Sequence, residues 1–507
     1  MEKKIVVIGG GPTGLGACTR LQQLGHKNWL LIEKNDYTGG LATSFPDPKG
    51  FWWDIGVHVT FSHYQYFTDL IDQGVLAYAK KHLEALEEDD KDLKIEKLWC
   101  THKRECWARF DPDSFLPYPF QNNFFYSKNT QVIKDCFDGL LEIYANRTNP
   151  EFNQIKNFED LIYKKFGKGL AEHFMIPYNL QVWGYPAKDM NHTWIGERVA
   201  MVDVQKILGE YIQKNEPKDS KSMNWGPNNT FRYPKYGGIG AIWKGVGYLL
   251  DENNLMLKTE VTEIDIDKKE VKLSNGKSIS YDYLINTLPI DLFLTKMIKK
   301  TQNLNVEDIF ERHQKPKHSK VNVIGLGFEC DMPEELKNKS WMYFPNLERS
   351  IFYRLTVLSN YSPYMVAKPG KQWSLMAEIC ETDYLPERKN LIDETIKGLL
   401  NENIIESKHL DHLISKHEFS SEYGYPTPYL HRDDFLNEIE PILRRKFSIY
   451  SRGRFGGWKY EVSNQDHSLM QGVEAADNIL FGCEEQTFFY PDHVNGRKEQ
   501  TRRFVLN

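Results

Sequence analysis

One short stretch near the start limits the fold more than any other feature. Ile5-Val-Val-Ile8 runs directly into Gly9-Gly10-Gly11-Pro12-Thr13-Gly14. Four aliphatic residues predict a buried strand, and residues 15–24 predict a helix. Trp29-Leu-Leu-Ile32 predicts a second strand, which ends in Glu33. This order opens a dinucleotide-binding α/β domain. Gly9, Gly11 and Gly14 fit the G-x-G-x-x-G spacing, which allows a tight turn, close backbone approach to a pyrophosphate and close helix–strand packing. An acid about 20 residues on accepts hydrogen bonds from a ribose. Gly9, Gly11, Thr13, Gly14 and Glu33 are therefore candidate cofactor-binding residues, and Glu33 favours a 2′-hydroxyl over a 2′-phosphate.

The rest of the chain must build around that unit. Its 507 residues predict about three domains or one large discontinuous one, and 40% hydrophobic with 26% charged residues is globular usage. A net charge of −6 argues against a nucleic-acid or anionic-membrane partner. The seven cysteines include no C-x-x-C pair, so a reducing, cytoplasmic setting is expected. No secretory signal or long apolar span is read. His58 and His63 have no neighbouring ligands to complete a metal site.

Helical spacing recurs over about 125–215, as in Val132, Cys136, Leu140 and Ile143. Residues 259–289 predict hairpins with Asn275-Gly276 as a turn. Short β runs (320–326, 352–358) and a helix near 390–403 fill 300–440, and a last helix is expected over 470–481. The acidic run Glu87-Glu-Asp-Asp90 predicts a solvated loop.

Gly39-Gly40, close behind Glu33, is typical of FAD-binding chains that resemble amine oxidases. Tyr281-Asp-Tyr-Leu-Ile-Asn-Thr-Leu-Pro289 resembles a later strand of the same chains. In Ile351-Phe-Tyr-Arg-Leu-Thr-Val357 an arginine sits on an apolar strand, which requires a partner. A structural carboxylate and a substrate phosphate both satisfy that requirement.

Longer segments carry a more specific resemblance. PYPFQNN, FMIPYN, WIGERVA, NWGPN, SNYSPY, GYPTP and SRGRFG, running on to YEVSNQDHS, resemble the UDP-galactopyranose mutases of the eukaryotic-type branch along nearly the whole chain. The resemblance implies an α/β fold: a Rossmann-like FAD-binding domain (1–105, 230–295, 445–507), a helical insertion with mobile loops (106–229, mobile around 200–228), and an antiparallel β-sheet domain (296–444). It implies FAD, active when reduced and primed by NADPH or another reductant, and UDP-galactopyranose and UDP-galactofuranose as substrates. Reduced flavin N5 would attack the anomeric carbon, with UDP returning after ring contraction.

The same resemblance assigns residues. Tyr118, Phe120, Gln121, Asn179 and Trp183 match a uridine pocket. Arg198 and Arg354 match the arginines that grip the diphosphate, and Tyr343, Tyr361, Tyr425 and Tyr460 match tyrosines on its oxygens. Asn224 matches a gating residue and Arg104 a loop residue near the nucleotide. His58 matches the histidine beside the flavin; Phe61 and Arg454 lie near the sugar and flavin. Gly40, Leu41, Val59, Val261, Asn464, Gln465 and Ser468 complete the expected FAD contacts, and Asn464 and Gln465 also join the active-site contacts, Asn464 as a substrate-binding residue. Two positions depart from the pattern: Val57 stands where this branch has glycine, and Cys106 replaces a serine. A flavin-dependent amine or porphyrinogen oxidase and a non-catalytic nucleotide-sugar binder are the rival readings.

Overall fold

The computed structural model describes residues 2–82, 93–111, 114–213, 229–496 and 499–505. Its centre is a five-stranded sheet in the order Ile449–Ser451, Tyr283–Asn286, Ile5–Ile8, Trp29–Ile32, Leu255–Met256. Every pairing in it is parallel. Ile5–Ile8 is the middle strand and is buried at all four positions. Parallel strands covered on both faces read as unbroken apolar runs, which is why this one does not alternate.

The first helix, Pro12–Gln23, begins three residues before the predicted start, with Pro12 in its first turn, where a missing N–H costs nothing. It packs on Gln465–Phe481, which also starts earlier than predicted. Glycines bring these helices together. A Cβ on Gly16 would lie 2.3 Å from the Leu469 carbonyl oxygen, and one on Gly472 would lie 1.9 Å from that of Thr13. The hairpin expectation holds over Val261–Asp265, Glu270–Leu273 and Ser278–Ser280, which form an antiparallel meander. Gly276 makes the second turn with φ +81°.

A seven-stranded sheet carries the second layer, centred on the long strand His318–Phe328 between Leu413–Pro426 and Trp373–Glu381. Arg354–Thr356 and Trp341–Tyr343 follow outward. The sheet then takes in Cys106–Ala108 and Leu116–Pro117. Cys106–Ala108 and Leu116–Pro117 thus pair within this sheet, although the helical insertion was expected to begin at 106. Cys106–Ala108 pairs in parallel with Trp341–Tyr343, a long-range pairing that leaves no local signature.

The insertion is helical as expected. Thr130–Ala145 and Phe158–Leu170 are capped by the side chains of Asn129 and Asn157. Their close approach again uses glycine: a Cβ on Gly169 would come within 2.2 Å of the Asp135 carbonyl oxygen. Ile176–Trp183 follows and ends at Gly184 in the left-handed region. No helix among the described residues is long and apolar enough to cross a membrane.

Candidate active site

The sequence motif becomes a bare backbone cradle. Gly9 has φ +98°, and a Cβ there would lie 2.2 Å from Thr287 Oγ1. A Cβ on Gly14 would lie 1.9 Å from the Gly9 carbonyl oxygen. Across the cradle, a Cβ on Gly40 would come 3.2 Å from the Gly11 Cα. The two glycine turns therefore face each other with no side chain between them, at the N-terminus of Pro12–Gln23. Glu33 is buried and accepts from the N–H groups of Gly10 (2.7 Å) and Asn35 (2.8 Å). Each carboxylate oxygen keeps a lone pair for a ribose hydroxyl. Thr259 N–H donates to the Glu33 carbonyl at 3.0 Å, which brings the segment leading into Val261 beside this end of the cradle. Thr13 is buried against Gly453, and Ser468 is buried on the helix behind. These residues fit a bound dinucleotide.

The Gly56–Val59 loop lies next. Gly56 takes φ +81°, and His58 Nδ1 sits 3.0 Å from the Gly56 carbonyl oxygen. Burial, reinforced by the Arg454 cation, lowers the His58 pKa from 6.5 to about 4, so the ring is neutral near pH 7. Gln465 bridges the loop to the core: its Nε2 donates to the Val59 carbonyl (3.4 Å) and its Oε1 accepts from the Trp243 indole (2.6 Å).

Two aromatic groups and three arginines make up the rest. Trp183 meets Trp194 (5.0 Å), Tyr460 (4.8 Å) and Tyr425 (5.6 Å) edge to face. A second row runs Phe120, Phe174, Tyr178, Tyr343 and Tyr118, with centroids 4.4 to 5.5 Å apart. The guanidiniums of Arg198 and Arg454 both stand over the Tyr460 ring, at 4.8 and 5.6 Å. Arg198 donates to Asn464 Oδ1 (2.9 Å) and the Glu461 carbonyl (3.0 Å). Arg454 donates to Ser463 Oγ (3.0 Å) and the Gly424 carbonyl (3.1 Å). Among the described residues, no carboxylate pairs with either. Burial pulls the Arg454 pKa down. Two such cations side by side suit an anionic ligand.

Arg354 differs. It meets Glu378 directly across the strand pair, and its Nε and Nη2 donate to the two carboxylate oxygens, the latter at 2.7 Å. Burial opposes its charge, but Glu378 outweighs that and holds the pKa well above the ordinary value. Of the two partners left open for this arginine, the structure shows the carboxylate.

Most of the expected site residues converge here. Tyr361 is buried beside Cys106, Arg354 and Tyr343, and its hydroxyl has no hydrogen-bond partner; an orphaned buried hydroxyl of this kind fits a ligand oxygen. Asn179 donates to the Met175 carbonyl (2.7 Å) and Gln121 to that of Ala200 (2.9 Å). Phe61 and Leu41 are half-buried, and Arg104 is buried in the short link between the strands Trp99–Lys103 and Cys106–Ala108. Phe120 requires a correction. It is fully buried between Phe110 and Phe174, so it forms the floor under the aromatic row and offers no open face to a base. Asn224, the NWGPN motif, the Glu87–Asp90 cluster and most of the expected mobile loop lie outside the described residues. Glu378 was missed. Its signal was present in Trp373-Ser-Leu-Met-Ala-Glu-Ile379: one carboxylate on an apolar strand, the same anomaly that singled out Arg354.

Comparison with known proteins agrees with this geometry. A family model described as an NAD(P)-binding Rossmann-like domain matches residues 7–73. The 15-cis-phytoene desaturase of Glycine max is 35% identical over 311 residues, 57% of this chain. That match spans 48% of the desaturase, so the chain covers about half of this relative. A solved structure described as a protoporphyrinogen oxidase from Exiguobacterium sp. 255-15 superposes with a TM-score of 0.62 at 13% identity, covering 94% of this chain and 99% of that one; this likeness concerns the fold alone. The crystal structure of a reduced UDP-galactopyranose mutase superposes with a TM-score of 0.88 at 41% identity, over 100% of both chains. At that identity over the whole of both chains, the chain belongs to the UDP-galactopyranose mutase family.

Proposed function

We propose that this chain interconverts UDP-galactopyranose and UDP-galactofuranose, using FAD in the glycine cradle. The observation that carries the reading is the full-length relationship to a mutase, together with two cations over one tyrosine ring that have no carboxylate partner among the described residues. Reduced FAD, when bound, supplies a nucleophilic N5 for the anomeric carbon. The chain's own task is to hold UDP while it is detached from the sugar. Arg198 and Arg454 offer charge to the diphosphate, Arg354 contributes its free Nη1, and the hydroxyls of Tyr343, Tyr361, Tyr425 and Tyr460 surround the same space. A hydrogen bond to a charged group contributes about 1.5–3 kcal/mol, so several together retain a leaving group. Tyr118 stacks uracil, with the amides of Gln121 and Asn179 near its edge. His58, kept neutral, offers a nitrogen to the flavin without adding charge beside it. NADPH or another reductant primes the flavin once and is not consumed in each turnover. The test is product analysis of dithionite-reduced protein given UDP-galactofuranose; UDP-galactopyranose is the expected product.

A further inference from the structure

We propose that Glu378 is a positioning residue which locks the Arg354 guanidinium and the Gly56–His58 loop to one point. Glu378 is 2% exposed. Its Oε2 takes Arg354 Nε, and its Oε1 takes Arg354 Nη2 at 2.7 Å. Oε1 also accepts from the Val57 N–H at 3.4 Å, and a Cβ built on Gly56 would lie 3.4 Å from that same oxygen. The carboxylate is itself fixed by its strand, where its own carbonyl accepts from Tyr353 N–H at 3.0 Å.

Two consequences follow from this geometry. With Nε and Nη2 occupied, the fork of Arg354 is held in one plane, and the Nη1 edge remains for a ligand. The pair is also electrically neutral, so the net charge that attracts an anion comes from Arg198 and Arg454, while Arg354 adds only the hydrogen bond from Nη1. Glu378 therefore acts on orientation and not on affinity. It joins the arginine facing the leaving group to the loop that carries His58, and so keeps the two sides of the reacting bond in register. The inference rests on the proposed role of Arg354 toward the diphosphate.

Glu378→Gln keeps the shape but removes the charge and one acceptor. In the holoenzyme, kcat with UDP-galactofuranose in the reduced state should fall at least tenfold. The dissociation constant for UDP should stay within threefold of wild type or tighten, because the site gains a positive charge. At one fixed UDP concentration, the UDP-induced rise in melting temperature should be about that of wild type if the dissociation constant is unchanged and larger if it tightens, since the shift follows the affinity. Adding Glu378→Gln to Arg354→Ala should change kcat less than twofold. A merely structural carboxylate would instead weaken binding and turnover together and shrink the UDP-induced shift; that result, or wild-type kcat in Glu378→Gln, overturns the proposal. If Glu378→Gln yields no folded protein, Glu378→Asp, which withdraws the charge by one methylene, decides on the same readouts. Wild-type affinity for UDP in Arg354→Ala would instead overturn the diphosphate role beneath it, whatever Glu378→Gln does.

Discussion

Removing Arg198 and removing Arg354 should have different effects on stability, although the sequence presents them as a matched pair. Arg354→Ala leaves Glu378, 2% exposed, as a buried charge without its partner. Breaking a buried pair from one side costs about 3–5 kcal/mol. Arg198→Ala removes hydrogen bonds to an amide and a carbonyl and a ring contact with Tyr460. Both hydrogen bonds are only part-buried and neither acceptor is charged, so the loss is about 1 kcal/mol. With about 2.1 cal/mol/K of unfolding entropy per residue, a chain of this length has roughly 1 kcal/mol/K in all. Arg354→Ala should therefore lower the melting temperature by about 3–5 °C and Arg198→Ala by about 1 °C. Removing both charges, in Arg354→Ala with Glu378→Gln, should recover most of the loss. Thermal melting of the three purified variants by circular dichroism supplies the comparison. Equal shifts for the two single variants, or no recovery in the double one, would refute the account of this pair.

Tyr118→Ala should weaken UDP binding more than Tyr425→Ala; one stacked base is worth about 1–3 kcal/mol, and UDP titration of both variants decides whether Tyr118 belongs to the pocket. Gly14→Ala should yield protein without bound flavin, because its Cβ would meet the Gly9 carbonyl oxygen at 1.9 Å; a normal flavin spectrum in that variant would exclude the cradle. Burial lowers the pKa of His58 and His467 from 6.5 to about 4, so the unfolded chain binds more protons than the folded one between those values. Stability should therefore fall as pH drops from 6.5 to 4. Glu474, raised by burial from 4.5 to about 7, works in the opposite sense, losing stability as pH rises through that range. His467→Asn should flatten the acid-side fall in melting temperature; an unchanged slope would show that His467 does not contribute to it.

The start of the fold was legible because its signals are local. Ile5–Ile8, the glycine spacing and Glu33 occupy one short stretch, and each constrains the backbone by itself. The meander around Gly276 and the helices capped by Asn129 and Asn157 were legible for the same reason. The sheet membership of Cys106–Ala108 was not, since it depends on a parallel pairing with Trp341–Tyr343 far along the chain. In the site, residue chemistry suggested Arg354 needed a partner, but only strand register identifies it as Glu378. Phe120 shows the converse: its motif matches a nucleotide pocket, yet the floor under an aromatic row and its exposed face have the same residue type. Separating them requires knowing that Phe110 and Phe174 close over both sides.

The central claim is that the chain isomerises a UDP-sugar through a reduced flavin. The most direct measurement is the product formed from UDP-galactofuranose by the same protein preparation, first oxidised under air and then reduced with dithionite. The account predicts negligible conversion when oxidised, and on reduction many turnovers to UDP-galactopyranose for each flavin without further reductant. Full turnover by the oxidised protein, or none by reduced protein that a separate titration shows to bind UDP, would contradict it.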